Sequence, residues 1–161
     1  MDTPIFTGEA AATGSWTIIT EVLTTPFQGA MDPAIVNEEG YISVYYTGTS
    51  GQIYLALQDG TNWGWYQINV PSATTEVDGG YVSTYSFADL AKAYGKEDFS
   101  DLGKIIVGSA NADDIVISQI AWTQVSSNAE TGDDTMILLA AILMVMMAAC
   151  MVTTVSLKKR R

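Results

Sequence analysis

Residues 136–157 read MILLAAILMVMMAACMVTTVSL, twenty-two positions without a charge, a proline or a glycine. As a helix rising 1.5 Å per residue, such a run covers the roughly 30 Å hydrocarbon core of a bilayer. A buried core helix of that length would carry a polar face, and this one has none. Lys158, Lys159, Arg160 and Arg161 follow it directly, and Glu130, Asp133 and Asp134 precede it. Basic flanks stay on the cytoplasmic side, so the sequence predicts a transmembrane helix over 136–157, a basic cytoplasmic tail over 158–161, and residues 1–135 outside the cell.

Residues 1–124 suffice for one domain with its own core, and residues 125–135 form a polar linker. The chain has 18 acidic and 7 basic residues, and four of the basic ones make up the tail. Lys92, Lys96 and Lys104 are therefore the only cations before the span. A surface so acidic repels phosphate backbones, which excludes nucleic acid as a partner. Histidine is absent and the single cysteine, Cys150, lies inside the apolar run. The domain thus has no disulfide, no thiolate and no imidazole for chemistry. The opening, MDTPIFTGEA, lacks the basic and apolar regions of an export signal. The expectation is that the sequence is the C-terminal part of a longer exported protein, or that its true start lies upstream.

The domain reads as β throughout. Glycines recur at Gly8, Gly14, Gly29, Gly40, Gly48, Gly51, Gly60, Gly79 and Gly80, and the runs between them are rich in Ile, Val, Tyr, Trp and Thr. Short strands at that spacing suggest a sandwich or a barrel. They are predicted at 15–23, 41–47, 52–58, 63–70, 81–85, 104–108 and 115–123, and the turn Gly48-Thr-Ser-Gly51 suggests that the second and third form a hairpin. Residues 86–95 break the pattern, with Phe87, Leu90, Ala91 and Tyr94 at helical spacing. Ser86 is the expected N-cap and Gly95 the expected stop of a two-turn helix.

Strand alternation sorts the side chains by face. In the fourth predicted strand Tyr66, Ile68 and Val70 share one side, and Trp63, Trp65, Gln67 and Asn69 share the other. The aliphatic side belongs to the core, which leaves two tryptophans and two amides outside. By the same test Tyr41 and Tyr45 face outward on one neighbouring strand, and Tyr54 and Gln58 on another. Exposed rings beside amides suit sugars: the C–H face of a pyranose stacks on an aromatic ring, and its hydroxyls find donors and acceptors in Gln and Asn. No charge is needed, which favours a neutral polysaccharide.

Several stretches carry a resemblance. They are Phe6-Thr-Gly with Ala12-Thr-Gly-Ser-Trp16, then Glu39-Gly-Tyr-Ile-Ser-Val-Tyr-Tyr-Thr-Gly48, Ile53-Tyr-Leu-Ala-Leu-Gln58 and Trp65-Tyr-Gln-Ile68. They continue through Tyr85-Ser-Phe-Ala-Asp-Leu-Ala-Lys-Ala-Tyr-Gly95 and Ile115-Val-Ile-Ser-Gln-Ile-Ala-Trp122. Together they resemble the non-catalytic carbohydrate-binding modules of clostridial and ruminal plant-cell-wall hydrolases, closest to the β-glucan and xyloglucan binders of family sixty-five. That resemblance implies a jelly-roll β-sandwich with a ligand cleft on one sheet. It also assigns glucan contacts to Trp16, Trp65 and Gln67. Two departures stand out: Trp16 is followed by Thr-Ile-Ile in place of small polar residues, and Trp63 stands where an amide is expected.

Asn128-Ala-Glu-Thr-Gly132, with the apolar span and basic tail, resembles a Gram-positive cell-wall sorting signal. This implies that a sortase cuts between Thr131 and Gly132 and joins Thr131 to peptidoglycan, although Asn128 and Ala129 replace the usual Leu-Pro. Carboxylates at Glu38/Glu39, Asp113/Asp114 and Glu97/Asp98 near Asp101 read as solvated loop residues, so no catalytic group is assigned. No cofactor is expected. Asp113 and Asp114 offer oxygens of the kind structural calcium takes, without the spacing of a calcium loop. The expected function is a cell-surface carbohydrate-binding module for neutral plant β-glucan. In it Trp63 and Trp65 stack on sugar, Gln67, Gln58 and Asn69 select hydroxyl geometry, and Tyr45 and Tyr54 extend the platform. The alternative is a structural or adhesive spacer, or a protein-binding domain, and it requires buried tryptophans and a convex, charged exterior.

Overall fold

The structure, a computed structural model, describes residues 2–125. The predicted linker motif, membrane span and basic tail lie outside the described residues, among which no helix is long and apolar enough to cross a membrane. Residues 1–126 close on themselves as one compact unit.

Among the described residues, nine strands form two sheets. The first sheet holds β1 (Asp2–Ala11), β9 (Val116–Gln124), β3 (Gly40–Thr47), β7 (Gly80–Ser86) and β6 (Ala73–Val77), in that order. The second holds β2 (Ile18–Leu23), β8 (Leu102–Ser109), β4 (Ile53–Asp59) and β5 (Trp65–Ile68). All pairings are antiparallel. The chain passes repeatedly from one sheet to the other, the winding of a jelly roll. Ile42, Val44, Tyr46, Tyr85, Ile117, Ile120 and Trp122 from the first sheet meet Val22, Leu55, Leu57, Ile105 and Val107 from the second in one buried core. Each aliphatic side chain removed from water there contributes about 1.5–3 kcal/mol.

The helix α1 (Phe87–Tyr94) forms where expected. The Ser86 hydroxyl accepts the Asp89 N–H at 3.2 Å, and Gly95 ends the helix at φ 80° with its N–H bonded to Ala91. Leu90 and Tyr94 are buried, and Tyr94 stacks on Phe99 at 5.1 Å.

The hairpin expected at Gly48–Gly51 does not exist. β3 pairs with β7 and β9 in the first sheet, whereas β4 pairs with β5 and β8 in the second. Both strands turn an aliphatic face to the core, and that alternation is the same whether two strands share a sheet or oppose one another across it. The tight connections are β4–β5, through residues 60–64, and β6–β7, where Val77 pairs with Gly80.

Candidate functional site

The outer face of the second sheet is a floor of small and flat groups between aromatic ends. Its cross-strand register gives three rows. Trp65, Gln58, Lys104 and Leu23 form the first, Gln67, Ala56, Ile106 and Glu21 the second, and Tyr54, Gly108 and Ile18 the third. Tyr54, Ala56 and Ile106 form a small apolar cluster of their own on this face, separate from the main core. The Tyr54 phenol lies flat enough over β8 that a Cβ at Gly108 would fall within its ring. Only glycine permits that close approach.

Trp65 projects from edge strand β5 and is 44% exposed, with Tyr54 beside it at 6.4 Å between ring centroids. Its indole N–H donates to Oε1 of Gln67 at 2.8 Å, and the Gln67 amide donates to Oδ1 of Asn69 at 2.5 Å. The relay sets which end of each amide is donor and which acceptor.

Trp63 precedes the strand in the 60–64 loop and is 43% exposed. Its ring stands edge-on to Phe27 at 5.2 Å and under Lys104 Nζ at 5.4 Å, and its carbonyl accepts from the Gln58 amide at 3.3 Å. Lys104 is also paired with Glu21 at 3.0 Å, which places both charges on the face. Trp16, 63% exposed, sits before β2 with its N–H on Ala110 O at 2.8 Å, beyond the Gly108 end of the sheet. From the Lys104 row to Ala110 is six residues of β8 and the turn after it, about 20 Å at strand rise. The aromatic residues therefore stand at opposite ends of the sheet.

Two features mark this face as more than ordinary surface. Of the eight exposed large apolar side chains among the described residues, Trp16, Ile18, Leu23, Trp63 and Trp65 border this one sheet, and they include every exposed tryptophan. In addition, Trp16 and Trp63 adopt left-handed backbone, at φ 60° and 56°. That conformation costs a non-glycine residue about 1–2 kcal/mol, and the fold accepts the cost while leaving both rings in water. A spacer domain with buried tryptophans does not look like this; among the four, Trp122 alone is in the core, at 1% exposure.

The sequence-derived residues divide accordingly. Trp63, Trp65, Gln67, Gln58 and Asn69 come together, with Trp16 at the far end. Tyr54 is on the face as expected, yet only 4% exposed, so it is floor and not platform. Tyr45 is on β3 in the opposite sheet, paired with Val82 and Gln119, and the structure does not bring it to the tryptophans. Its assignment rested on a shared outward face, and the outward faces of the two sheets point away from each other. Val70, expected inside, is exposed because β5 ends at Ile68. Sequence reasoning missed Lys104, Glu21, Ile106 and Gly108, which lie on strands whose neighbours only the fold reveals.

Asp113 and Asp114 bring no third ligand with them. Among the described residues no group of three acidic, His or Cys side chains could hold a metal, and Asp114 accepts the Thr49 hydroxyl at 3.0 Å. A concavity of about 800 Å³ beside α1, lined by Phe87, Lys92, Lys96 and Glu97 among others, is separate from the aromatic face.

A two-sheet sandwich with exposed tryptophans around one sheet face is the architecture of a carbohydrate-binding module. This chain belongs to family 65 of that class: residues 6–120 match the family described as carbohydrate binding module 65 domain 1. Among solved structures it is similar to a carbohydrate-binding module of endoglucanase Cel5A from Eubacterium cellulosolvens. That match has 27% identity and a TM-score of 0.59, and it covers 78% of this chain and 100% of that one. A second structure described in the same words matches at 28% identity and a TM-score of 0.57, over 77% and 99% of the two chains. The non-catalytic module CBM65B shares the fold, with 24% identity, a TM-score of 0.58 and coverage of 75% and 97%. No curated protein sequence matches at a significant level. The first of these matches takes in the whole of a solved chain and falls on the compact unit described above.

Proposed function

We propose that this module binds neutral plant β-glucan, xyloglucan included, on the outer face of the second sheet, without catalysis. The carrying observation is that Trp16, Trp63 and Trp65 stand exposed around one trough whose floor is Tyr54, Ala56, Ile106 and Gly108. Sugar C–H faces stack on Trp63 and Trp65, and Gln67, Gln58 and Asn69 meet the hydroxyls in the ring plane. Trp16 holds the far end of the chain. The acidic surface disfavours polyanionic glycans such as pectin. That one relative serves an endoglucanase supports glucan as the ligand.

We also read 128–132 as a sortase site, cut between Thr131 and Gly132, and 136–157 as the span that holds the chain until that step. The module then keeps a Gram-positive cell, or enzymes joined to it, beside the polysaccharide. This reading rests on sequence order alone.

The test is affinity electrophoresis of residues 1–126 through gels containing xyloglucan, barley β-glucan, xylan, mannan or pectin. Retardation by the glucans and not by pectin is expected. Unretarded migration in every gel would sink the reading.

A further inference from the structure

The 60–64 loop is held far more tightly than a surface turn of its length requires. The buried Asp59 carboxylate, at the end of β4, accepts four hydrogen bonds. Oδ1 takes the N–H groups of Thr61 at 2.9 Å and Asn62 at 2.6 Å, and Oδ2 takes the Gly64 N–H at 3.1 Å and the Tyr66 hydroxyl at 3.0 Å. The Gly60 N–H is bonded to the Asp101 carbonyl at 2.6 Å. Phe27 packs so closely on Gly60 that a Cβ there would enter its ring. Every N–H around Trp63 in the loop is thereby directed inward, while Trp63 itself is left with φ 56° and an exposed ring.

We infer that Asp59 is a positioning residue for carbohydrate binding, one that touches no sugar and presents the Trp63 ring to the trough in its left-handed backbone conformation. The inference rests on the glucan reading above. A carboxylate suits the role because it accepts all four bonds with two oxygens and donates none. Asparagine has the same shape but turns one acceptor into a donor, set against the N–H groups on one side or against the Gly64 N–H and the Tyr66 hydroxyl on the other. An aromatic held in its bound geometry loses less freedom on binding than one on a mobile loop. Asp59 therefore acts on affinity chiefly through Trp63.

That dependence makes the test a double-mutant cycle. Calorimetry with soluble barley β-glucan compares residues 1–126 unaltered, Asp59→Asn, Trp63→Ala and the double variant. Asp59→Asn is expected to weaken binding about tenfold when Trp63 is present, by loss of preorganisation, and far less when Trp63 is already alanine. Equal losses in both backgrounds, or no loss in either, overturn the inference. A ligand-free arm follows amide exchange: Thr61, Asn62 and Gly64 should exchange faster in Asp59→Asn while β8 does not, and unchanged loop exchange also overturns it. If the unaltered module binds no glucan, the glucan reading falls, and the exchange arm still reports whether Asp59 holds the loop. Should Asp59→Asn not fold, Tyr66→Phe removes one of the four bonds and gives a smaller change of the same pattern.

Discussion

The indole N–H of Trp65 donates to the Oε1 atom of Gln67, two positions along the same edge strand, at 2.8 Å. The bond ties a stacking surface to a hydrogen-bonding amide and passes on to Asn69. Trp65→Ala removes both the ring and the restraint on Gln67. Aromatic residues at the centre of an interface typically cost about 2 kcal/mol or more on truncation, so the expected loss of glucan affinity is roughly thirtyfold or greater. Since Trp65 is exposed, the melting temperature should stay within a few degrees of the unaltered module. A variant that unfolds instead would show the ring to be structural.

Gln67→Ala leaves the ring in place and removes hydrogen bonding. A net hydrogen bond is worth about 1 kcal/mol, so a fall in affinity of roughly fivefold is expected by calorimetry. A loss as large as that of Trp65→Ala would mean that Gln67 carries the recognition and stacking is secondary.

Tyr45→Ala is the internal control. Tyr45 lies on the first sheet, and its truncation should leave retardation in glucan gels unchanged. Reduced retardation would place a second binding surface on that sheet.

Much of this is legible in the residues alone. The helix could be read because Ser86, Leu90 and Gly95 state a start, a buried stripe and an end within ten positions. The Trp65–Gln67 face could be read because Tyr66 and Ile68 alternate with it. β1 was not legible: it is an edge strand interrupted by Pro4 and two register shifts, so its period breaks. β6 is exposed along its whole length and has no burial pattern to show. Tyr45 and Tyr54 show the deeper limit. Alternation says inward or outward, but which sheet a strand joins depends on partners as distant as Ser43 and Ala121.

Acid should unfold the module and neutral pH should not affect it. Asp59 is held below the usual carboxylate range by the Asn62 N–H first, then by Tyr66, Thr61 and Gly64, Asp89 by the Ser72 and Ser86 hydroxyls, and Asp101 by Lys96 and Tyr94. A carboxyl lowered in the folded state stabilises above its unfolded pKa, near 4, and that stability is lost as pH falls through the folded value. The chain has no histidine. Melting temperature and glucan affinity should therefore be level from about pH 5 to 8 and fall only below about pH 4. A transition near pH 6.5, the range of histidine, would mean that another group titrates.

Iodide should quench three tryptophans and spare Trp122, whose ring is enclosed between the sheets. Saturating β-glucan should restore most of the quenched emission, and the Trp65→Ala variant should recover less. Quenching that glucan leaves unchanged would separate the exposed rings from the ligand.

Gly108 offers the sharpest test of the floor, because the Tyr54 phenol covers it and the substitution removes no side chain. An added Cβ would occupy the place of the Tyr54 ring. In Gly108→Ala either the phenol rises from β8 or the β4–β8 pairing yields, and overpacking of this kind costs about 1–3 kcal/mol. If the phenol rises, it enters the trough between Trp65 and Trp16, so affinity falls about tenfold or more along with a drop in melting temperature. Pairing the substitution with Tyr54→Ala separates the two effects. The double variant has room for the Cβ and an open trough, and should regain part of the affinity over Gly108→Ala. Failure to regain it would mean that Tyr54 does not rest on Gly108, and that the trough has another floor.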